Sequence, residues 1–512
     1  METPGFLYSL NVIDLGIIIV YLTLTTLLGA WFRNNQNDIQ TYFVGGREVS
    51  WFLVLVSIVA TETSTVTFLS VPGLAFNPAN GNLTFIQLSI GYMIGRVLIA
   101  LVLLPGYFQG QYISAYEILR KKFDSRVQRS ASFLFMLTRT IADGLRLFLT
   151  GLLLQQFTGW NLGFSIILMG VVTLVYTYLG GMQAVLWTDF IQFVIYFAGA
   201  LVAGIILLSL IPDGWNGFLA VANYSNKLQW MDLSFDLKKP YTIWAGVIGG
   251  TFFTMASHGA DQIMVQRYLC ARNLNHARIA LVASGLVVSL QFLLFLLIGA
   301  GLFVLANSGG WPLPDGIRND QVFGRFIVEK LPVGVIGLVI AAVLAAAMST
   351  LSSSLNSSAS AAVADFYKPI RPGLSDHEYL SVSRFLTILF GFAQISVALI
   401  AWQIDSPRSV VDQVLSVAGL TTGMVLGLFI LGTINKRVSS SAALAGMLIG
   451  FLAVMAVYIP AARGSTIVAW PFYAPVGTLV TVFAAMLINP ILKSSPTHQE
   501  TRDSSGSPGH RT

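Results

Sequence analysis

The sequence predicts an all-α integral membrane protein with about thirteen transmembrane helices. Hydrophobic residues make up 55% of the 512 residues and charged residues only 10%, and the mean hydropathy is +0.73. These values lie well outside the range of soluble globular domains. Apolar segments of about 20 residues, the length that crosses a hydrocarbon core of about 30 Å, recur along the chain. A transmembrane β-barrel is excluded, because its strands are short and alternate in polarity.

Thirteen apolar segments define the predicted spans. They cover residues 11–32, 50–76, 82–107, 129–156, 161–181, 184–211, 241–268, 277–306, 333–365, 380–402, 410–434, 439–460 and 468–492. The first has no basic region before it and is too long for a signal-peptide core, so it is expected to remain in the protein. The single cysteine, Cys270, excludes an intramolecular disulfide and a cysteine-built metal site.

No enzyme site is recognisable. The five histidines show no metal-ligand spacing, no nucleophile motif is present, and no loop is long enough for a soluble catalytic domain. The net charge of +6 comes from loop lysines and arginines and predicts a topology rather than binding of nucleic acid.

The basic residues predict an orientation in a plasma or inner membrane. With the N-terminus outside, eighteen Lys and Arg residues, Arg267 among them, fall on the cytoplasmic side and eight fall outside. This excess satisfies the positive-inside rule and places the C-terminus in the cytoplasm. The polar tail after Lys493 is expected to be disordered, and the loops 212–240 and 307–332 to form external caps.

Several charged residues lie inside predicted helices, among them Glu62, Arg96, Asp143 and Asp189. An intramembrane charge costs at least a few kcal/mol unless it is paired or hydrated, so each is a functional candidate. The alternative is an internal pair that locks two helices together. Of these residues, Arg96 has the least support for a functional role.

Arg139, Asp143 and Arg146 follow an i, i+4, i+7 spacing and therefore share one helix face. Asp143 can neutralise one arginine, which leaves one positive charge for a partner elsewhere. That partner is either an anionic group of a substrate, since Arg binds carboxylates with two parallel hydrogen bonds, or a structural network with a neighbouring helix.

The ninth segment contains a stripe of hydroxyl groups in the sequence "AAAMSTLSSSLNSSAS". Small residues let helices pack closely in lipid, so the stripe alone is weak evidence for a site. Its middle lies at the same predicted depth as Ala60 to Thr63. Matching depth favours a site where hydroxyls and freed backbone carbonyls bind a hard cation.

Two segments carry helix-weakening residues. The second has Pro72-Gly73 and the cluster of hydroxyl residues before it, and the seventh has Gly246, Gly249, Gly250 and Gly259. Paired interruptions five helices apart indicate an inverted-repeat transporter. The predicted division is an N-terminal extra helix and loop (1–49), a first five-helix repeat (50–211), an external loop (212–240), a second repeat (241–434), two further helices (435–492) and a tail (493–512).

Six segments resemble the sodium:solute symporter family, which includes sodium/glucose cotransporters. In chain order they read "TYFVGGREVSW", "TSTVTFLSVPG", "YTYLGGMQAVLWTDFIQ", "DQIMVQRYLCA", "STLSSSLNS" and "LGLFILGTINKRVSSSAALAGMLIG". The resemblance covers most of the chain and implies a LeuT-like inverted-repeat core with alternating access driven by sodium. It implies no cofactor beyond Na⁺ as the coupling ion.

The resemblance also implies site residues. The family's conserved sodium site corresponds to Ala60, Thr63, Ala346, Ser349 and Thr350. A second sodium site, found in some members, corresponds to Asp189, Ser352 and Ser353. The substrate cavity corresponds to Glu62, Ser64, Thr67 and Gln87, with Arg139 and Arg146 one turn to either side of Ala142.

The expected function is therefore a sodium-coupled symporter that imports a small hydrophilic organic solute. A sugar, a polyol, a carboxylate or an amino-acid-like compound would each suit the candidate residues, because Glu62 suits hydroxyls or an amine and a spare arginine suits a carboxylate. A proton-coupled symporter of the same fold and a transporter-like solute sensor are the alternatives.

Overall fold

The computed structural model describes residues 10–31, 39–110, 112–314, 316–403, 410–434 and 438–493, and these residues form helices and connecting loops without a β-strand. In chain order the α-helices are α1 (Val12–Trp31), α2 (Ile39–Val44), α3 (Trp51–Glu62), α4 (Thr65–Phe76), α5 (Gln87–Leu98), α6 (Leu104–Tyr107), α7 (Glu117–Lys122), α8 (Ser125–Thr158), α9 (Leu162–Leu210), α10 (Gly214–Tyr224), α11 (Thr251–Gly259), α12 (Gln262–Cys270), α13 (Leu274–Asn307), α14 (Asn319–Lys330), α15 (Val335–Ala361), α16 (Lys368–Ile370), α17 (Asp376–Gln403), α18 (Val410–Ile434), α19 (Ser440–Ala462) and α20 (Tyr473–Lys493). Short 3₁₀ turns span Gly45–Arg47, Thr84–Ile86 and Trp470–Phe472, and π-helical turns span Ile99–Leu103, Ala245–Gly250 and Ala362–Tyr367.

Eight helices of the described chain are long and apolar enough to cross a membrane, or up to ten if each sharply bent helix pair counts as one span. The all-α membrane fold is therefore confirmed, while the number of thirteen spans stays a prediction. Helix α9, with 49 residues, contains non-helical Gly181 at φ 54°. An unbroken helix of that length would measure about 74 Å, far more than a hydrocarbon core, so the kink divides it into two segments.

The first interruption lies at Thr63 and Ser64, where the backbone is extended and α3 and α4 meet at 62°. The Ser64 amide donates to Thr67 Oγ1 at 3.4 Å, which helps to start α4. The break therefore lies within the hydroxyl cluster that precedes Pro72, as predicted, whereas Pro72 and Gly73 do not interrupt α4. Their role is close packing: a Cβ on Gly73 would lie 2.6 Å from the Asn319 carbonyl oxygen.

The second interruption lies at Ala260 and Asp261, between α11 and α12. Asp261 caps α12, since its Oδ1 accepts from the Ile263 amide at 2.9 Å. The predicted interruption across Gly246 to Gly250 is instead a π-helical turn that continues into α11. Glycines there permit close packing on α5: a Cβ on Gly91 would lie 2.0 Å from the Gly246 carbonyl oxygen.

Helix α15 forms the centre of the protein. It packs against α1, α3, α8 and α9, and every residue from Val339 to Ala361 is buried. Its many Ala and Ser side chains allow neighbouring helices to approach closely. The hydroxyl stripe predicted on this helix therefore faces protein, not lipid.

The loop after α10 holds the C-terminal end of the first interrupted helix. Lys227, only 2% exposed, donates to the carbonyls of Phe76 and Asn77 at 3.3 and 2.5 Å, beyond the last turn of α4. A lysine at a helix C-terminus stabilises the unpaired carbonyls and the helix dipole. The division into two five-helix repeats stays a prediction, and the predicted disordered tail lies outside the described residues.

We predict that Gly91→Ala destabilises the protein by about 1–3 kcal/mol, because the new methyl group would overlap the Gly246 backbone. The measurement is the melting temperature of the purified protein in detergent. Gly16→Ala is the matched control, since no heavy atom lies within 4 Å of a Cβ there. Equal melting temperatures for both variants would contradict the packing argument.

Candidate functional site

The first interruption contacts α15 through one hydroxyl group. Thr350 Oγ1 lies 3.0 Å from the carbonyl oxygen of Thr61, 3.5 Å from that of Thr63 and 3.4 Å from that of Ala346. Three groups of the predicted sodium site, from Thr63, Ala346 and Thr350, therefore meet at one point. Ala60 lies buried in the last turn of α3, next to this point.

The Thr63 side chain points away from these carbonyls. Its Oγ1 accepts from Gln291 Nε2 at 2.6 Å and from the Tyr196 hydroxyl at 3.2 Å, and donates to the Val59 carbonyl at 2.9 Å. The side chain anchors the interruption to α9 and α13. Only the backbone oxygen of this residue is directed to the Thr350 hydroxyl.

A second polar cluster surrounds Asp189 on α9. Its carboxylate accepts from the hydroxyls of Ser349 at 2.6 Å, Ser57 at 2.5 Å and Thr61 at 3.4 Å. Ser353 Oγ lies 3.2 Å from the Thr61 hydroxyl and donates to the Ser349 carbonyl at 2.7 Å. Asp189 and Ser353 therefore belong to one cluster, joined through the Thr61 hydroxyl.

Ser352 has a different environment. Its hydroxyl donates to the Ser349 carbonyl of its own helix at 3.1 Å, and no hydrogen bond within the described residues joins it to Asp189.

Arg267 completes the Asp189 cluster and was missed by the sequence analysis, which placed it in a cytoplasmic loop. Its side chain on α12 is 1% exposed. The guanidinium contacts Asp189 at 3.0 Å, Ser57 Oγ at 2.9 Å, and Ser353. Arg267 lies in the last turn of α12, three residues before Cys270, so the local sequence carries no signal that its side chain is buried.

A cavity of about 120 Å³ adjoins the first interruption. Five predicted substrate residues line it, namely Glu62, Ser64, Thr67, Arg139 and Arg146, together with Ala142 of α8. Thr61 and Thr350 line it as well, so the cavity and the carbonyl cluster share a wall. The remaining lining includes the aromatic residues Phe85, Tyr92, Phe253 and Phe292.

Gln87 does not line this cavity. Its Nε2 donates to the carbonyls of Thr84 and Tyr241 at 3.2 and 3.0 Å, and its Oε1 accepts from the Asp232 amide at 3.1 Å. In this conformation Gln87 ties the start of α5 to the external loop.

Glu62 is paired at the cavity wall with two residues from other helices. Its Oε2 accepts from Arg96 Nη2 and lies 3.3 Å from His258 Nε2, which is itself 3.1 Å from Arg96 Nη2. Arg96 is fully buried and Glu62 is 14% exposed. No partner for Arg96 is predictable from the sequence, because α3, α5 and α11 are separate segments of the chain.

Both arginines on the shared face of α8 are paired. Arg139 binds Asp261 of the second interruption through Nε at 3.2 Å and Nη2 at 3.0 Å. Arg146 binds Asp143 one turn away on the same helix. The charge that Asp143 cannot neutralise therefore meets a protein carboxylate, and no arginine on this face is without a counter-ion.

Two interrupted helices around a polar cavity, with hydroxyls and freed carbonyls at the same point, define a secondary transporter. The profile of the sodium:solute symporter family matches residues 42–450. The chain belongs to the sodium:solute symporter family.

Two curated relatives illustrate the similarity. The sodium/sialic acid symporter SiaT of Proteus mirabilis is 30% identical over 98% of this chain and 99% of its own length. The sodium-coupled monocarboxylate transporter 2 of Bos taurus is 30% identical over 90% of this chain and 74% of its own length.

A solved structure shows the same architecture. A Na⁺-coupled sialic acid symporter in its substrate-bound, outward-open state matches with a TM-score of 0.85 at 29% identity, covering 94% of this chain and 98% of that one. These findings confirm the LeuT-like fold and sodium as the coupling ion. The protein is a multi-pass membrane symporter for a small organic solute and not an enzyme, as predicted.

We predict that Arg139→Gln destabilises the protein by about 3–5 kcal/mol, because it leaves the Asp261 carboxylate buried without its counter-ion. Arg126→Gln is the control, since that arginine pairs with Asp124 at the surface and is 67% exposed, and it should cost less than about 1 kcal/mol. Thermal unfolding in detergent compares the two. Combining Arg139→Gln with Asp261→Asn should recover part of the loss, and a loss that stays unchanged in the double variant would refute the pairing.

Proposed function

We propose that the chain imports a small hydrophilic solute by alternating access, with one sodium bound between the first interruption and α15. The supporting observation is the position of Thr350, whose hydroxyl meets the freed carbonyls and also lines the cavity. The solute is a sugar, a polyol, a carboxylate or an amino-acid-like compound. SiaT carries sialic acid and the bovine relative carries monocarboxylates, according to their names.

The proposed sodium ligands are the carbonyl oxygens of Ala60, Thr63 and Ala346 and the hydroxyls of Ser349 and Thr350. Hard cations prefer oxygen ligands, and interrupted helices supply carbonyls that lipid cannot satisfy. The Thr350 hydroxyl of α15 already contacts the first interruption, at 3.0 Å from the Thr61 carbonyl and 3.5 Å from the Thr63 carbonyl. A cation among these oxygens would hold α3 and α15 together more strongly than one neutral hydroxyl does.

Coupling follows from the shared wall. Glu62, Ser64 and Thr67 line the solute cavity from the same interruption that supplies two sodium ligands. A sodium ion that fixes the conformation of this interruption lowers the free-energy cost of ordering the residues that contact the solute. By linkage, the bound solute raises the affinity for sodium by the same factor. The cation and the solute therefore favour the same conformation.

A second sodium at Asp189, Ser352 and Ser353 is a further part of the proposal. Arg267 now supplies the positive charge there, since it contacts both Asp189 and Ser353. A second sodium would therefore bind only after this guanidinium moves away. Because Arg267 belongs to α12, replacing its guanidinium by sodium would shift α12, the second half of the second interrupted helix.

The orientation is proposed from the charge distribution, with the N-terminus outside and the C-terminus in the cytoplasm of a plasma or inner membrane. Arg267 is removed from the cytoplasmic count because it is buried in α12. Seventeen residues inside against eight outside still satisfy the positive-inside rule.

The function is tested by uptake into proteoliposomes. Radiolabelled N-acetylneuraminic acid, lactate, glucose, mannitol and proline are the probes, with an inward gradient of sodium or of potassium. We expect at least one probe to accumulate with sodium only, and the accumulation to collapse when a sodium ionophore is added. Equal uptake in sodium and potassium, or uptake driven only by a proton gradient, would reject sodium coupling.

We predict that Thr350→Ala and Ser349→Ala each raise the sodium concentration for half-maximal thermal stabilisation about tenfold, because each removes one oxygen ligand of a cation. Thr350→Ser keeps the hydroxyl and should resemble the unsubstituted protein. Ser358→Ala is the matched control on α15, since the Ser358 hydroxyl has no hydrogen-bond partner within the described residues. If both alanine variants show the same sodium titration as the unsubstituted protein, the proposed sodium site is rejected.

We predict that Arg267→Gln lowers the sodium concentration required for stabilisation, by about tenfold, because Asp189 then needs another cation. Adding Asp189→Asn to Arg267→Gln should abolish that gain. If Arg267→Gln leaves the sodium titration unchanged or weakens it, the guanidinium does not compete with sodium.

A further inference from the structure

The wall of the cavity formed by the first interruption exposes part of a carboxylate. Both basic partners of Glu62, Arg96 and His258, lie on Oε2, while none of the hydrogen bonds among the described residues uses Oε1. Arg96 is fully buried behind the carboxylate. The cavity therefore meets an anionic oxygen with unused acceptor capacity.

The opposite kind of group comes from α8. Arg139 and Arg146 line the same cavity and are 15% and 14% exposed, whereas their partners Asp261 and Asp143 are only 4% and 0% exposed. Arg146 uses Nη1 for Asp143, and none of the hydrogen bonds among the described residues uses its Nη2. These two side chains therefore present guanidinium donors to the cavity and keep their counter-ions behind them.

The charges of the cavity wall balance. Three arginines, Arg96, Arg139 and Arg146, each pair with one carboxylate. His258 beside Glu62 is neutral in this arrangement, because its Nε2 lies 3.1 Å from Arg96 Nη2, which can only donate. A solute that is only an anion would satisfy the α8 donors but leave Glu62 Oε1 desolvated and unpaired. A solute that is only a cation would leave the guanidinium donors unpaired, and burial of an unpaired charge is costly.

Aromatic rings lie beside the Glu62 side of the cavity. Tyr92 precedes Arg96 by one turn of α5, and its ring lies 6.2 Å from that of Phe253 and 6.3 Å from that of Phe292. All three line the cavity. Aromatic faces attract ammonium groups, so they add to the attraction of the carboxylate for a positive end of the solute.

Resting on the proposed function, we propose that the solute is a small zwitterion, such as an amino acid or imino acid. Its ammonium group binds Glu62 Oε1 between the aromatic rings, and its carboxylate binds the guanidinium groups of Arg146 and Arg139. The zwitterion satisfies both kinds of exposed group and leaves the charge balance of the wall unchanged. Hydrogen bonds to charged groups are about twice as strong as neutral ones, which makes both ends of the solute necessary.

The first test uses the unsubstituted protein in detergent with saturating sodium. Thermal stabilisation is measured with the standard α-amino acids, and with a matched set of L-proline, pyrrolidine, which lacks the carboxylate, and cyclopentanecarboxylate, which lacks the ammonium. N-acetylneuraminic acid, lactate, glucose and mannitol complete the panel. We expect at least one zwitterion to stabilise the protein at a concentration tenfold or more below that of its one-charge analogues.

Two results would overturn the proposal. One is stabilisation by an anion or a neutral sugar with no zwitterion active, and the other is no stabilisation by any zwitterion in the panel. Failure of the proposed function looks different, since it would remove the stabilisation by sodium relative to potassium. A sodium effect without a zwitterion effect thus rejects only the substrate class.

The second test uses a double variant that combines Glu62→Gln with Arg96→Met. It removes both charges of the pair together and avoids a buried unpaired arginine. We expect tenfold or greater loss of binding for the zwitterion identified above, a smaller loss for its analogue without the ammonium, and an unchanged sodium titration. Glu378→Gln, a carboxylate replaced at the protein surface, is the control and should bind as the unsubstituted protein does. Equal losses for the zwitterion and its analogue would show that Glu62 does not bind the ammonium.

Discussion

The contact between the Thr350 hydroxyl and the carbonyls of the first interrupted helix is the interaction on which the site depends. A helix that stops inside a membrane protein leaves carbonyl oxygens that lipid cannot satisfy. Here Thr350 reaches the Thr61 carbonyl at 3.0 Å and the Thr63 carbonyl at 3.5 Å. The interruption is therefore tied to α15, the most buried of the long apolar helices, and its freed carbonyls are the groups that we propose as cation ligands.

The rest of the site is arranged so that charges are buried only in pairs. Glu62 faces Arg96, Arg139 faces Asp261, and Asp189 faces Arg267, and in each case the partners come from different helices. Such pairs join helices that must move relative to one another during transport. Breaking one without replacing its partner leaves a charge in a medium that cannot solvate it, so exchange of partners is the accessible way to change conformation.

The two interrupted helices are connected through these pairs. Arg139 of α8 holds Asp261 at the second interruption, while Arg267 of α12 reaches the Asp189 cluster next to the first. A change at the cation groups is therefore transmitted to the cavity wall by direct contacts. The proposed sodium site and the solute cavity are in direct contact, because Thr61 and Thr350 belong to the carbonyl cluster and also line the cavity.

The sequence by itself determined the membrane class and the family, and it singled out Glu62 and Asp189 as candidates, because hydropathy and intramembrane carboxylates are local signals. The hydroxyl cluster and Gly259 mark the two interruptions in the sequence, whereas Pro72 and Gly246 look like helix breakers but serve close packing. Only the tertiary structure decided the partners. Arg96, His258 and Arg267 meet their carboxylates across large distances in the chain, and pairing between distant helices depends on packing geometry that no local pattern encodes.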